Sequence, residues 1–366
     1  PNTITMTKED SVSGTTTRRI VYIDNATMPT QIKFSVREPL LTVDYLNIDS
    51  NITSMQQLFH NATNLTYINI DNWNTSNVTN LYQCFFMTTA LTQNIDFTKM
   101  NLSKVTGWHH AFAYSSFPRI DLSHISPTLS TTDKELFGYC KAEYINISGW
   151  TFTNTMSQLF NNAQQLKTVV LDNVTTTGVT DMGTMFRNCY NLKTIDVSSF
   201  DTSSVTSFAD MFNNCGIVTE IKGIENFNVS SATNFAAMFK QCSSLTSLDL
   251  RNWVTSSATS FNSMFNGCTS LEVLRVDNFD YKEKDASGLV LNGMFESCTK
   301  LKQIFLPKLT NKGLGNFNRF CNSCSSLEYI SMPNFVWGNC TSIDGAFSNC
   351  TSLKMLDLTL LFQHFL

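Results

Sequence analysis

Eleven cysteines, five histidines and 29 acidic residues are the side chains of this 366-residue sequence that could support redox, metal or acid–base chemistry. Cys321-Asn-Ser-Cys324 has the spacing of a redox dithiol or of half a zinc site. No second such pair completes a tetrahedral ligand set. Cys140, Cys189, Cys215, Cys242, Cys268, Cys298, Cys324 and Cys350 instead share one setting, three residues after a Phe or, at Cys324, after Cys321. Ala62 and Ala163 stand at the same place elsewhere. A position that accepts Ala or Cys is a small apolar slot, where a free thiol behaves as a small hydrophobe. These cysteines are therefore expected to be reduced, buried and structural; Cys84 and Cys340 lie outside the slot.

His109 and His110 precede Phe112 on a segment with helical spacing, so their side chains should diverge rather than chelate together. His60, His124 and His364 are isolated in sequence. Asp196, Asp249 and Asp357 recur at one strand position, a solvated carboxylate row without the Gly turn and clustered acids of a calcium loop. No nucleophile elbow or phosphate-binding loop occurs. The expectation is a non-enzymatic chain with no catalytic residue, metal or cofactor.

The elements that position these residues repeat. Phe59, Phe85, Phe112, Phe137, Phe160, Phe186, Phe212, Phe239, Phe265, Phe295, Cys321 and Phe347 recur at intervals of 23 to 30 residues, mostly 26 or 27. A period in the twenties sustained over most of a chain specifies a solenoid. In the unit from Phe186, Ile195 and Val197 flank Asp196 with the two-residue alternation of a short strand. Val205, Phe208, Met211 and Phe212 follow the spacing of one helical stripe. Asp201-Thr-Ser-Ser204 between them, like Asn74-Thr-Ser-Asn77, suits a turn and a helix N-cap. Each unit thus reads as strand, turn and short helix.

The phrase Met-Phe-x-x-Cys-x-x-Leu-x-x-Leu-Asp-Leu, followed by Phe or Trp, Thr-Ser and Val-Thr, resembles the BspA-like leucine-rich repeat. More narrowly it resembles the 26-residue variety of surface lipoproteins in Mycoplasma, Listeria and lactic acid bacteria. Leu245-Thr-Ser-Leu-Asp-Leu250 and the run Ile195–Thr206 are close matches, and the resemblance covers residues 58–358. It implies an α/β, leucine-rich-repeat-type right-handed solenoid of about twelve units, and a non-enzymatic role in adhesion or recognition on a cell surface. Register departs from the pattern at 91–100, 112–145 and 281–290. Residues 1–57 lack the phrase and are expected to form an N-terminal β-type cap, with strands at Arg19–Asp24 and Ile32–Val36 and a first irregular turn at 41–48. The solenoid is expected to span 58–366.

Composition bounds the partners. Net charge is −4, with only 15% charged residues and no basic stripe to neutralise phosphates, which argues against nucleic acid. No apolar run approaches the length of a membrane span. The first residues carry no basic segment followed by an apolar core. An excised ectodomain accounts for that, and so does a start from which Met has been removed. The resemblance implies action at a cell surface or in the extracellular space, with which this composition agrees; the alternative expectation is a virion in which the chain is structural or host-binding.

Two surfaces are expected to bind. Positions eight and ten after the anchor face outward on the strands, holding Thr168, Thr194, Asp196, Ser247 and Asp249 in early and middle units. Later units place Val273, Arg275, Gln303, Phe305, Tyr329 and Met355 there, residue types favoured at binding hot spots. A protein or glycan partner is expected on that face. The C-terminal run with Leu360, Leu361, Phe362, Phe365 and Leu366 has no polar cover, so either the natural chain continues or, as expected, this end docks on another chain.

Overall fold

The alternation Ile-Asp-Val fixes very short strands, because only one or two inward side chains per coil are needed to fill a narrow core. The structure is a computed structural model and describes residues 42, 43, 46, 48, 50–129, 135–280, 290–309, 315–335 and 340–357. Two compact units form: Pro1–Thr153 with Leu159–Val174, and Asn154–Gln158 with Thr175–Leu366.

In the first unit the strands are β1 (Thr42–Val43), β2 (Tyr67–Ile68), β3 (Arg119–Asp121), β4 (Thr128–Leu129), β5 (Tyr144–Asn146), β6 (Thr151–Phe152) and β7 (Thr168–Val170). β1 pairs in parallel with β2, β5 lies between β3 and β7, and β4 pairs with β6. The expected cap strands at Arg19–Asp24 and Ile32–Val36 lie outside the described residues, while Thr42–Val43 already stacks on β2. The slipped stretch 91–100 forms no strand; Asp96 caps a 3₁₀ turn at Phe97–Lys99 instead.

The second unit carries β8 (Thr194–Asp196), β9 (Glu220–Lys222), β10 (Ser247–Asp249), β11 (Val273–Arg275), β12 (Gln303–Phe305), β13 (Gly315–Asn316), β14 (Tyr329–Ser331), β15 (Cys340–Ser342) and β16 (Met355–Asp357). All pairings are parallel: β8 with β9, β10 with β11, β13 with β15, and β14 between β12 and β16. A second ladder of single bridges runs Thr155, Asp181, Ser207, Asn234, Ser260, Val290, Asn316. Each unit is thus a stack of solenoid coils with two parallel ladders.

The expected helix in each coil does not form; among the described residues there is no α-helix. The stripe Val205, Phe208, Met211, Phe212 is buried as the spacing required, but its backbone is a run of turns. Met211, Asn213 and Cys215 donate back three residues, to Phe208 O, Asp210 O and Phe212 O. The alternate amides of Phe208, Asp210, Phe212 and Asn214 donate to Asn234, Ala236, Met238 and Lys240 of the next coil, at 2.8–2.9 Å. A left-handed residue closes each turn, at Asp210 (φ 58) and Asn214 (φ 62), and the same two places recur at Thr184 and Asn188 and at Ala237 and Gln241.

The reason is spacing. Helices pack 8–10 Å apart, whereas parallel strands sit about 4.8 Å apart. A run of turns can keep step with the strands because half of its amides bond the neighbouring coil. The anchor rings keep step too, stacking face to face at 5.5–5.7 Å from Phe186 through Phe212, Phe239 and Phe265 to Phe295. In the first unit Phe59, Phe85, Phe112, Phe137 and Phe160 form a like column at 5.5–5.8 Å.

Candidate functional site

The strand face of the second unit is built by a simple rule: the middle residue of each triplet points inward and its neighbours point out. Ile195, Ile221, Leu248, Ile304 and Ile330 are buried, so the flanking positions form two outward columns. One column aligns Gln303, Tyr329 and Met355 through β12, β14 and β16; the next aligns Phe305, Ser331 and Asp357. Neighbouring strands lie about 4.8 Å apart, close enough for one partner residue to touch two successive members of a column. Val273 and Arg275 sit on β11, opposite Ser247 and Asp249 of β10.

The structure therefore places all six expected ligand residues on strands, with Gln303, Tyr329, Met355 and Phe305 in one sheet. Val273, Phe305 and Met355 are 52%, 46% and 56% exposed, and Leu356, which sequence spacing pointed inward, is 38% exposed. Tyr329 is half-buried, and Ser331 is buried with its hydroxyl on Asp357 Oδ2 at 3.1 Å. Beside this apolar group runs a row of charges before each strand, in which Lys354 Nζ meets Glu328 Oε2 at 2.7 Å. That ammonium holds the Glu328 carboxyl below its ordinary range. The expected docking residues Leu360, Leu361, Phe362, Phe365 and Leu366 lie outside the described residues.

A polar cleft of about 690 Å³ opens on the same unit where β9 and β10 fail to pair. Glu220 and Lys222 form one wall, Ser247, Asp249 and Arg251 the other. Gly223 is the cause on one side. Its left-handed φ of 82° continues into a 3₁₀ turn at Ile224–Asn226, and a Cβ there would lie 2.4 Å from Ser198 Cα. The chain after β9 is thus drawn against the β8 coil. Across the cleft, Arg251 Nε donates to both Asp249 carboxylate oxygens at 3.0 Å, which holds that carboxyl below its usual range.

The acid row has a structural task. Asp196 Oδ1 accepts the Ser198 amide at 3.0 Å, and Asn69, Asp121 and Asn146 close the same side-chain turn in other coils. Asp201 does likewise with Ser203, through both its amide (3.0 Å) and its hydroxyl (2.7 Å), so Asp201-Thr-Ser-Ser204 closes a turn rather than capping a helix.

Seven of the eight slot thiols are buried as expected, whereas Cys350 is half-buried, and slot thiols also donate. Cys215, Cys242, Cys268, Cys298 and Cys324 reach the carbonyl of the preceding coil's anchor Phe at 2.9–3.2 Å. Burial pushes the Cys215 and Cys268 thiols up to about 12. Among the described residues no group of three or more His, Cys, Asp and Glu is arranged to hold a metal ion.

His109 and His110 depart from expectation. Their rings lie 4.0 Å apart instead of diverging, because His110 is left-handed (φ 54) in a turn run and not in a helix. They belong to a patch on the first unit that the sequence reading passed over. His60 stacks on Phe86 (5.2 Å), Phe86 meets Tyr114 edge-on, and Tyr114 stacks on Tyr139 at 4.5 Å. Tyr82 stacks on His109, and His110 Nε2 lies 2.8 Å from Glu135 Oε2. The signal was present: these rings occupy turn positions that small or polar non-aromatic residues fill in later units.

With this geometry in view, the relatives can be placed. The family described as "Mycoplasma protein of unknown function, DUF285" matches residues 42–150, 131–221, 154–279 and 219–308, well over half of the chain. The chain belongs to that family. The BspA type leucine rich repeat region matches residues 289–364, so the chain is a BspA-like leucine-rich-repeat protein. No curated protein matches it. Among solved structures, a leucine-rich repeat protein from Bacteroides ovatus is 16% identical with a TM-score of 0.42, over 95% of this chain and 91% of that one. One from Eubacterium ventriosum is 16% identical, TM-score 0.43, over 86% and 78%. A leucine rich cell surface protein from Faecalibacterium prausnitzii is 18% identical, TM-score 0.39, over 92% and 89%. Among the described residues no helix is long and apolar enough to cross a membrane.

Proposed function

We propose that this BspA-like chain is a non-enzymatic protein-binding module whose contact surface is the strand face of the second unit, centred on Phe305, Tyr329 and Met355 and extended by Val273, Arg275 and Gln303. One observation carries the reading: Val273, Phe305 and Met355 are each about half exposed on strands whose other outward positions are mostly polar. Exposed large apolar side chains grouped on one face mark interaction sites. Aromatic, Met and Arg residues supply most of the energy at such sites. The charged row beside them, with Lys354 held by Glu328, forms a polar rim. Presentation at a cell surface is part of the same reading, supported by the resemblance of the repeats to those of surface lipoproteins. A protein partner is favoured over a glycan because the group combines Met and Val with its aromatic residues.

The test is a binding screen of the purified chain against a panel of extracellular protein domains, by biolayer interferometry. Every binder should lose at least tenfold in affinity on Phe305→Ser with Tyr329→Ser. The control pair Tyr67→Ser with Tyr190→Ser should leave binding unchanged. Binding that survives the first pair, with the fold intact by circular dichroism, would show that another surface is used.

A further inference from the structure

One coil breaks the anchor rule by exchanging a ring for a thiol. Where every other unit has Phe, this one has Cys321, and the buried position before it, often Met in other units, holds Phe320. Phe320 meets Phe295 edge-on at 5.1 Å and stacks on Phe317 at 4.0 Å, so the core stays filled. The exchange leaves a second sulfur inside the thiol ladder. Cys350, the slot residue of the next coil, donates to Cys321 O at 3.0 Å and lies with its sulfur 3.8 Å from Cys321 Sγ. Cys350 also differs from the other slot thiols in exposure: it is half-buried, whereas Cys215, Cys242, Cys268, Cys298 and Cys324 are buried.

We infer that Cys321 and Cys350 are an oxidation site, a dithiol that closes to a disulfide in the presence of a peroxide. The geometry suits a two-step exchange. The Cys350 thiolate attacks one peroxide oxygen; the O–O bond breaks, one oxygen leaves as water after taking a proton, and Cys350 becomes a sulfenic acid. The Cys321 sulfur then attacks Cys350 Sγ and the S–O bond breaks. The hydroxide released takes the Cys321 proton and leaves as the second water. Two thiols are oxidised by two electrons, and the peroxide is reduced to two waters.

The roles follow from the surroundings. Cys350 is the attacking sulfur because it is the accessible one, and the Cys321 side chain beside it holds its ionisation below the ordinary thiol range despite partial burial. Cys321 is the resolving sulfur; its thiol donates to Ala346 O at 3.3 Å and is pushed up by the neighbouring Cys324 and Cys350 side chains and by burial. Closure needs the sulfurs to approach by roughly 1.8 Å, from 3.8 Å to the ~2.05 Å of a disulfide. The bond would tie together the coils that carry β14 and β16, and hence Tyr329 and Met355.

The experiment uses the full chain, reduced, desalted and treated natively with hydrogen peroxide, then digested without reductant and mapped by mass spectrometry. The expected product is a Cys321–Cys350 linked peptide and a loss of two of the eleven free thiols. Cys321→Ala and Cys350→Ser should each abolish the link, while Cys324→Ser should keep it. Before oxidation, iodoacetamide should label Cys350 at least tenfold faster than the buried slot thiols, with half-buried Cys340 as internal comparison. The inference is overturned if the native chain links Cys324 to either sulfur in preference. It is overturned equally if linkage appears only in denaturant, or if Cys350 labels no faster than Cys242. The map of the unsubstituted chain decides the matter even if a variant misfolds.

Discussion

Single side chains hold each coil to a fixed bend. Asp201 accepts both the hydroxyl and the amide of Ser203, and those two bonds keep its carboxyl below the usual range. Asp196 is lowered in the same way by Ser198. A carboxyl whose folded value is depressed adds stability that is fully present above its unfolded value near ~3.9 and is lost as pH falls through the folded value. Stability should therefore be level near neutral pH and decline below about pH 4. Asp201→Asn, which keeps the acceptor oxygen but cannot titrate, should flatten that acid limb in urea titrations at stepped pH; Asp201→Ala should lower stability at every pH. An unchanged acid limb in the Asn variant would show that the turn oxygen gains nothing from its charge. At the core, Phe239 stacks at 5.6 Å on both Phe212 and Phe265, and Phe239→Ala should cost roughly 3–5 kcal/mol. Cys242→Ala removes one buried sulfur and should cost about 1 kcal/mol, near the value of one buried methylene. Equal costs for the two would mean that the ring column does not dominate the core.

At the scale of elements, the sequence was legible wherever side-chain identity decides. Ile195 inward and Thr194 and Asp196 outward follow from alternation, and the stripe from Val205 to Phe212 is buried as spacing required. What spacing could not distinguish is a helix from a run of turns, because both bury residues three and four apart. The deciding signal sat in the polar residues: Asn61, Asn162, Asn188, Asn214 and Asn349 all stand two after the anchor, and all are left-handed. Asn tolerates that region at less cost than β-branched residues, of which only Thr184 is left-handed among the described residues. Asn214→Gly should accordingly be neutral or mildly favourable, while Asn214→Val should cost about 1–2 kcal/mol. Urea midpoints of the two variants check this, and equal midpoints would remove left-handed strain as the reason for Asn. The strand-face residues were legible for the same reason as the core, since outward positions follow from inward ones. The β9–β10 cleft was not, because it depends on Gly223 pressing against Ser198, a close approach that no local pattern records.

At the scale of the molecule, stability in a stack is close to a sum of coil and nearest-neighbour terms, so whole coils are exchangeable in a way that half-coils are not. The second unit offers a clean place to test this, since Met185-Phe186 and Met211-Phe212 present the same dipeptide one period apart. Removing residues 186–211 joins Met185 to Phe212 and leaves every remaining inward position in register. Both ladders and the ring column then close over the gap, with Phe212 in the place of Phe186. That variant should fold, show the same per-residue circular dichroism without a helical signature, and bind any partner of the Phe305–Tyr329–Met355 face with unchanged affinity. Removing only 186–198 should instead place loop residues where strand residues belong and expose the anchor column. It should yield aggregated or protease-sensitive protein. If the full-period deletion unfolds as readily as the half-period one, stability in this unit rests on contacts longer in range than one coil, and the strand face could not be treated as a surface added to an exchangeable scaffold.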